Sequence, residues 1–215
     1  KRQLKMVCET ENAYTRHVIT QALIVFILFF CMVAFWGSTG RISWCKFTGD
    51  PEDGCALTAR YGMLAYMYLY DGCPPTVEDK DYNYGDSECF DHETCDKCET
   101  AGNTSLSMLT GCIVCSGVCL FIVQARKNAS QSHTDSGCGT RLTSTIALGI
   151  VCCLSLIALS TWYNECFIPI QTFLVDKSYN GTITVEMGAV MVFLVILFSG
   201  FSCANELTIH QQRTR

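Results

Sequence analysis

The sequence is poor in charge, and four long stretches contain no ionisable residue. Only 16% of the residues are Asp, Glu, Lys or Arg. None of these, and no His, occurs in residues 18–36, 106–123, 142–163 or 187–203, which contain 19, 18, 22 and 17 residues. A helix needs roughly 20 apolar residues to cross a bilayer. Apolar residues gathered in blocks, without a helical or strand period, exclude an ordinary soluble domain and predict four membrane-spanning helices.

The sequence also lacks the signals of catalysis. It has no phosphate-binding glycine loop, no nucleotide fingerprint and no basic patch for nucleic acid. Its four histidines are scattered, and none lies in a predicted span, where it could ligate a haem. Cys95 and Cys98, with His92 and Cys89 nearby, have zinc-like spacing, but a cysteine-rich outer loop favours disulfides. We therefore expect no enzyme activity, no cofactor, no metal site and no nucleic-acid partner.

Charge asymmetry predicts the orientation. Residues 1–17, 124–141 and 204–215 carry nine basic and four acidic groups, whereas residues 37–105 and 164–186 carry six basic and 16 acidic groups. Basic residues near helix ends favour the cytosolic side. Both termini and the 124–141 loop are therefore predicted to be cytosolic. The expected location is the plasma membrane or another membrane of the secretory pathway.

The outer loop 37–105 is rich in cysteine. It contains Cys45, Cys55, Cys73, Cys89, Cys95 and Cys98. A short loop with little core needs disulfides, so we expect a small disulfide-rich, β-containing extracellular domain on an all-α four-helix membrane bundle. The connectivity stays open, although local spacing favours Cys45 with Cys55 and some pairing among the other four. Cys166, in the second outer loop, is either free, paired across the loops or paired with another chain.

Three sequons bear on the same topology. Asn103 and Asn180 lie in the predicted outer segments and are candidate glycosylation sites. Asn128 lies in the predicted cytosolic loop, where it is not expected to be modified.

Two apolar segments of the outer loops are candidates for docking a partner. Residues 61–70 (YGMLAYMYLY) form either a buried strand or a Tyr- and Met-rich contact surface. An apolar stretch follows the third span. The predicted contact residues are Tyr61, Tyr66, Tyr68, Phe167 and Ile170. The acidic run at 78–99 is either a solvated face or an attraction for cations or a basic partner.

The spans themselves look like a packed scaffold. Ion and proton pathways usually retain ionisable residues within the membrane, and these spans have none, which disfavours transport through one subunit. Gly111, Gly117 and Gly149 predict close helix packing.

The topology and several residues resemble the claudin and peripheral-myelin-protein superfamily, which includes channel auxiliary subunits and amastin-type surface proteins. The matching positions are Trp36-Gly37, Trp44-Cys45, Cys55, the run 154–163 ending in Trp162-Tyr163, and Tyr179 to Gly181 followed by Gly188. The resemblance implies a left-handed four-helix bundle capped by a small antiparallel sheet, with Cys45 bonded to Cys55. Four extra cysteines and the acidic insertion depart from the claudin pattern.

Three functions are consistent with these features. The first is an auxiliary subunit that packs laterally on a larger channel, receptor or membrane assembly. The second is a claudin-like adhesion or barrier protein of a cell junction, with another copy as its partner. The third is a subunit of a homo-oligomeric large-pore channel, with the acidic loop facing cations.

Overall fold

The protein is described by a computed structural model that covers residues 2–36, 42–49, 56–71, 79–86, 89–131, 138–177 and 181–213. It is mostly helical, with a small antiparallel sheet. The helices are α1 (Arg2–Trp36), α2 (His92–Gln131), α3 (Cys138–Trp162), α4 (Ile168–Asp176) and α5 (Met187–Arg213). A π-helical segment, Tyr163–Phe167, joins α3 directly to α4.

Within the described residues, four helical regions are long and apolar enough to cross a membrane: Tyr14–Trp36, His92–Asn128, Leu142–Asp176 and Met187–Leu207. Each contains one of the four predicted spans. Two of them are much longer than the roughly 20 residues that a crossing needs. The excess lies before residue 106 in α2 and after residue 163 in the α3–α4 helix, in segments that the sequence assigned to the outer loops.

In the part of the chain that the structure describes, the sheet has five strands in the order β4-β3-β2-β1-β5, and all pairs are antiparallel. Its strands are β1 (Cys45–Gly49), β2 (Ala56–Tyr61), β3 (Ala65–Asp71), β4 (Lys80–Asn83) and β5 (Gly181–Val185). The 61–70 segment is therefore not one strand. It contains the end of β2, a tight turn at residues 62–64 and most of β3, and Tyr61 pairs with Tyr66 across the hairpin.

The start of α2 is fixed by the residue before it. The carboxylate of Asp91 accepts hydrogen bonds from the backbone N–H of Thr94, at 3.1 Å, and from its hydroxyl. This is a helix N-cap, which satisfies one of the backbone donors that a first turn leaves open. The helix can therefore begin well outside the apolar stretch.

The chain divides into two compact units. One contains residues 1–30, 111–154 and 194–215, and the other contains residues 31–110 and 155–193. The first unit consists of helical segments packed through aromatic and small side chains. Phe198 stacks on Phe26 at 6.1 Å and lies 5.5 Å from Phe30, centroid to centroid.

The second unit contains the sheet and the helix ends around it. Its core includes Trp44, whose ring lies 5.0 Å from that of Trp162. Two glycines allow elements to approach closely here. A β-carbon on Gly102 of α2 would lie 1.8 Å from the carbonyl oxygen of Met63, and one on Gly188 would lie 2.2 Å from the indole of Trp44. A larger residue at position 102 would push the backbone at Met63 away, and one at position 188 would displace the Trp44 side chain.

Candidate functional site

Among the described residues, two disulfides lie at the helix ends of the sheet-containing unit. Cys98 in α2 is bonded to Cys166 in the π-helical segment, and Cys89 is bonded to Cys95. The pairing of Cys98 with Cys166 resolves the three alternatives for Cys166: it is bonded across the two outer segments. The three cysteines with zinc-like spacing, Cys89, Cys95 and Cys98, are therefore all disulfide-bonded, as is Cys166 of the second outer loop.

The predicted bond between Cys45 and Cys55 is wrong. Cys45 is a free thiol, fully buried in β1 between Tyr61 and Val185 of the neighbouring strands. Cys55 and Cys73 lie outside the described residues. Burial, and to a lesser extent the carboxylate of Glu186, raises the pKa of the Cys45 thiol far above its ordinary value. A thiol that stays protonated is a poor nucleophile, so Cys45 serves as a small core residue.

The aromatic residues of the first predicted docking segment mostly face inward. Tyr61 and Tyr66 are 3% and 1% exposed, and their rings stack at 6.0 Å, with Phe90 against both. Tyr84 completes this cluster, donating its hydroxyl to the carbonyl oxygen of Gly62 at 3.2 Å. Burial raises the pKa of both Tyr61 and Tyr84. Tyr61 and Tyr66 are thus interior residues.

Of the three predicted contact tyrosines, Tyr68 is the one with a partly accessible side chain. It is half-buried, and its ring lies 5.3 Å from that of Tyr66 and 6.5 Å from that of Tyr70. It remains a candidate contact residue, whereas the other two predicted tyrosines could act on a partner only by shaping the sheet.

The second predicted docking segment is helical, and its outward residues differ from those expected. Ile170 is fully buried and Phe167 is 9% exposed. The exposed side of α4 carries Ile168, Gln171, Thr172 and Val175, which we call the α4 face. Ile168 is 40% exposed and Val175 69% exposed. They are seven residues apart, so both lie on one side of the helix.

A cleft of about 650 Å³ adjoins the α4 face, between α4 and the first turns of α2. Its apolar walls are Ile168, Pro169 and the rings of Phe90 and Phe173, whose centroids lie 5.0 Å apart at an interplanar angle of 51°. Its rim is charged, with Asp91, Glu93, Lys97, Asp176 and Lys177. The hydrogen bonds from Thr94 lower the pKa of Asp91, so this rim carboxylate is ionised at neutral pH. An apolar floor with a charged rim is the usual composition of a protein contact site.

A buried ionic cluster lies in the other unit, formed by charged residues that the sequence analysis assigned to the cytosolic segments beside the spans. Arg126 of α2 donates to Glu206 of α5 at 2.6 Å and to the hydroxyl of Ser144 of α3 at 2.9 Å. That hydroxyl lies 3.1 Å from the same carboxylate, and His17 of α1 lies 3.9 Å from the other carboxylate oxygen. Arg126, Glu206 and His17 are 2%, 1% and 3% exposed. One cluster therefore connects all four long helices.

Sequence reasoning missed this cluster because each charge lies just outside an apolar stretch. Arg126 and Glu206 are three residues beyond the predicted ends of their spans, where charges normally reach water. The signal that could have revealed them is their opposite sign at matching positions of two helices. A second polar contact beside the cluster joins the amide of Asn205 to the hydroxyl of Thr20 at 2.9 Å.

The cysteines and glycines of the spans have different environments. Cys112 and Cys119 are buried and donate to backbone carbonyls of α3 at 3.6 Å, so they pack α2 against α3. Gly111 contacts Leu154 closely, because its β-carbon would lie 3.1 Å from that side chain. A β-carbon on Gly117 or Gly149 would meet no described atom within 4 Å. These two glycines therefore face open space along the described helices.

The sequons are only partly described. Asn103 lies on α2 with an exposed side chain, and Asn128 is exposed near the other end of the same helix. Asn180 lies outside the described residues.

Among the described residues, no group of three His, Cys, Asp or Glu side chains is placed to hold a metal ion. No protein-family model matches the chain. No curated protein matches it significantly in sequence. The physical character of the described surfaces therefore carries the functional argument.

Proposed function

We propose that this chain is a non-enzymatic, claudin-like, multi-pass membrane protein that packs laterally on a larger channel, receptor or other membrane assembly. The α4 face is the observation that carries the proposal. Ile168 and Val175 are apolar and exposed, on a helix that follows a third span already long enough to cross a bilayer. Lipid does not contact residues beyond the span, so we expect a protein partner to bury these two side chains.

The disulfides support the predicted orientation. Disulfides persist in oxidising compartments, and both bonds fall in the segments predicted to be outside, residues 37–105 and 164–186. A plasma-membrane or other secretory-pathway location, with both termini cytosolic, agrees with this. Asn180 is then expected to carry glycan and Asn128 is not.

Rigidity supports docking through this face. The α4 helix is anchored by the bond from Cys98 to Cys166 and by buried Ile170 and Leu174. An anchored helix loses little conformational entropy when a partner binds it. Gly117 and Gly149, which face open space, offer positions where a partner helix can approach the spans closely.

The test is co-purification in mild detergent of the wild-type chain and of an Ile168→Ser/Val175→Ser variant. The proposal predicts a partner at fixed stoichiometry with the wild type, and a loss of at least tenfold in the variant at unchanged surface delivery. The matched control is Lys80→Ser/Asn83→Ser on exposed positions of β4, which retains the partner.

Undiminished association of the Ile168→Ser/Val175→Ser variant would remove the α4 face from the proposal. The identity of the retained chain separates the two main functions. A different membrane protein supports the auxiliary subunit, and a second copy of this chain supports adhesion or barrier formation.

A further inference from the structure

The two disulfides differ in how far a reagent can reach them. Cys89 is half-buried, whereas Cys95 is 1% exposed and both Cys98 and Cys166 are fully buried. A thiolate opens a disulfide by direct attack on one sulfur, so the rate depends on access to that sulfur. Of these four residues, Cys89 is therefore the one through which a small thiol in solution can reach a bond.

The two bonds also close loops of very different length. The bond between Cys89 and Cys95, which we call the short bond, joins residues six apart in sequence. The bond between Cys98 and Cys166, which we call the buried bond, joins residues 68 apart. In the chain-entropy account, the stabilisation by a disulfide increases with the length of the loop that it closes. Opening the short bond therefore costs less stability and leaves the anchor of α4 in place.

The loop closed by the short bond contains two residues that build the cleft beside α4. Phe90 is a wall of that cleft, and its ring lies 5.0 Å from Phe173 of α4 and 5.4 Å from Tyr66 of β3. Asp91 is the N-cap of α2 and lies on the rim. The short bond ties the residue before Phe90 to α2 and so restricts the positions that the ring can take.

The opened form has a hydrogen-bond acceptor already in place. The sulfur of Cys89 lies 3.8 Å from the backbone carbonyl oxygen of Asp91. A disulfide sulfur has no proton to donate, whereas a thiol is a weak donor. A reduced Cys89 can therefore donate to this oxygen without a backbone shift.

We propose that Cys89 is a redox-reactive site, at which a small extracellular thiol opens the short bond and frees the Phe90 wall of the cleft. The thiolate attacks the sulfur of Cys89, forms a mixed disulfide with it and expels Cys95 as a thiolate, which takes up a proton. A second thiol attacks the small-thiol sulfur of the mixed disulfide, so Cys89 leaves as a thiol and the two small thiols end as their own disulfide. Weaker binding of a partner beside the α4 face follows, and this last step rests on the function proposed above.

The test is graded reduction of the full chain, purified in mild detergent, in mixtures of cysteine and cystine. Alkylation of the released thiols and peptide mapping then identify which bond is open. At the same reaction time, we expect the short bond to open at a cysteine concentration about tenfold below the one that opens the buried bond, because the sulfurs of the buried bond are shielded.

Hydrogen exchange reports on the cleft wall. When the short bond opens, the backbone amides of residues 90–94 should exchange about tenfold faster. The amides of residues 170–174 in α4 should not change, because the buried bond still anchors that helix. Cys89→Ser/Cys95→Ser is the permanently opened variant and should show the faster exchange at residues 90–94 without any thiol.

Cys98→Ser/Cys166→Ser is the matched control, because it lacks the buried bond and keeps the short one. It should speed exchange in α4 and leave residues 90–94 as in the wild type. If Cys89→Ser/Cys95→Ser does not fold, the cysteine series on the wild type carries the same test.

Two results would overturn the redox site. One is opening of the buried bond first, or of both bonds at the same cysteine concentration. The other is an open short bond with unchanged exchange at residues 90–94, which would show that the bond does not control the cleft wall.

The step at the α4 face is tested separately, by co-purification. The amount of partner retained by Cys89→Ser/Cys95→Ser should fall about fivefold, the effect of ordering one side chain on binding. Equal retention would overturn this step. If Ile168→Ser/Val175→Ser also retains the partner, the proposed function fails, whereas peptide mapping and hydrogen exchange still decide the redox site.

Discussion

The buried pair of Arg126 and Glu206 should respond strongly to the loss of either charge. Glu206→Gln removes the negative charge 2.6 Å from the guanidinium of Arg126, which is 2% exposed. Breaking a buried ion pair on one side costs about 3–5 kcal/mol, because a charge stays buried without compensation. Ser144 bonds to both members, so its hydroxyl offsets little of that cost.

The double variant Arg126→Leu/Glu206→Leu should recover most of the loss. Replacing both members of a buried pair by apolar residues of similar size is often neutral. Equilibrium unfolding in mixed micelles, followed by tryptophan fluorescence, measures each free energy. The expected interaction energy in the double-mutant cycle is large, because the two sites share one contact.

The exposed pair of Glu93 and Lys97 is a matched control. Their side-chain nitrogen and oxygen are 2.7 Å apart, but the side chains are 79% and 45% exposed. Solvent screens such a pair, so Glu93→Gln should leave the unfolding curve unchanged. Destabilisation by Glu206→Gln of less than about 1 kcal/mol, or a double variant whose cost equals the sum of the single costs, would refute the reasoning for a buried pair.

Three further predictions concern the sheet-containing unit. Cys98→Ser should destabilise the folded chain by about 4 kcal/mol, since the bond to Cys166 closes a 68-residue loop, and non-reducing peptide mapping should recover that bond in the wild type. Cys45 should react with maleimide only after denaturation, without added reductant; fast labelling of the native protein, or none after denaturation, would contradict a buried free thiol. Asp91→Ala should cost about 1 kcal/mol at pH 7, as the loss of a helix cap. Because the folded-state pKa of Asp91 is lowered, this contribution is present above its unfolded pKa of about 3.9 and disappears as pH falls through the folded value, so the two unfolding curves should converge in acid.

The sequence predicted the parts of the fold that depend on local pattern. Uninterrupted apolar stretches predicted four membrane-length helices, and a Tyr-rich outer loop predicted a small sheet; the structure confirms both. The ends of the helices were less predictable. The N-cap at Asp91 begins α2 in polar sequence, where hydropathy gives no signal. The π-helical junction at Tyr163 continues α3 into α4 through Asn164 and Glu165, two polar residues that the sequence analysis took as the start of a loop.

Long-range pairings were the least predictable part. Cys98 and Cys166 are 68 residues apart, and their bond depends on how two helix ends meet. By contrast, the predicted pairing of Cys45 relied on proximity in sequence. The contact between Arg126 and Glu206 could not be predicted for the same reason, because it joins residues far apart in the sequence. The docking prediction named Phe167 and Ile170, but both are buried, because helical periodicity turns Ile170 inward and Ile168 outward.

The central proposal is that the α4 face contacts a protein partner, and site-specific photo-cross-linking in native membranes tests it most directly. A photoreactive side chain is introduced at position 168 or 175, and at the exposed position 81 of β4 as the control. The proposal predicts one discrete cross-linked protein from positions 168 and 175 and none from position 81. Equal cross-linking from all three positions, or cross-links only to lipid, would contradict it.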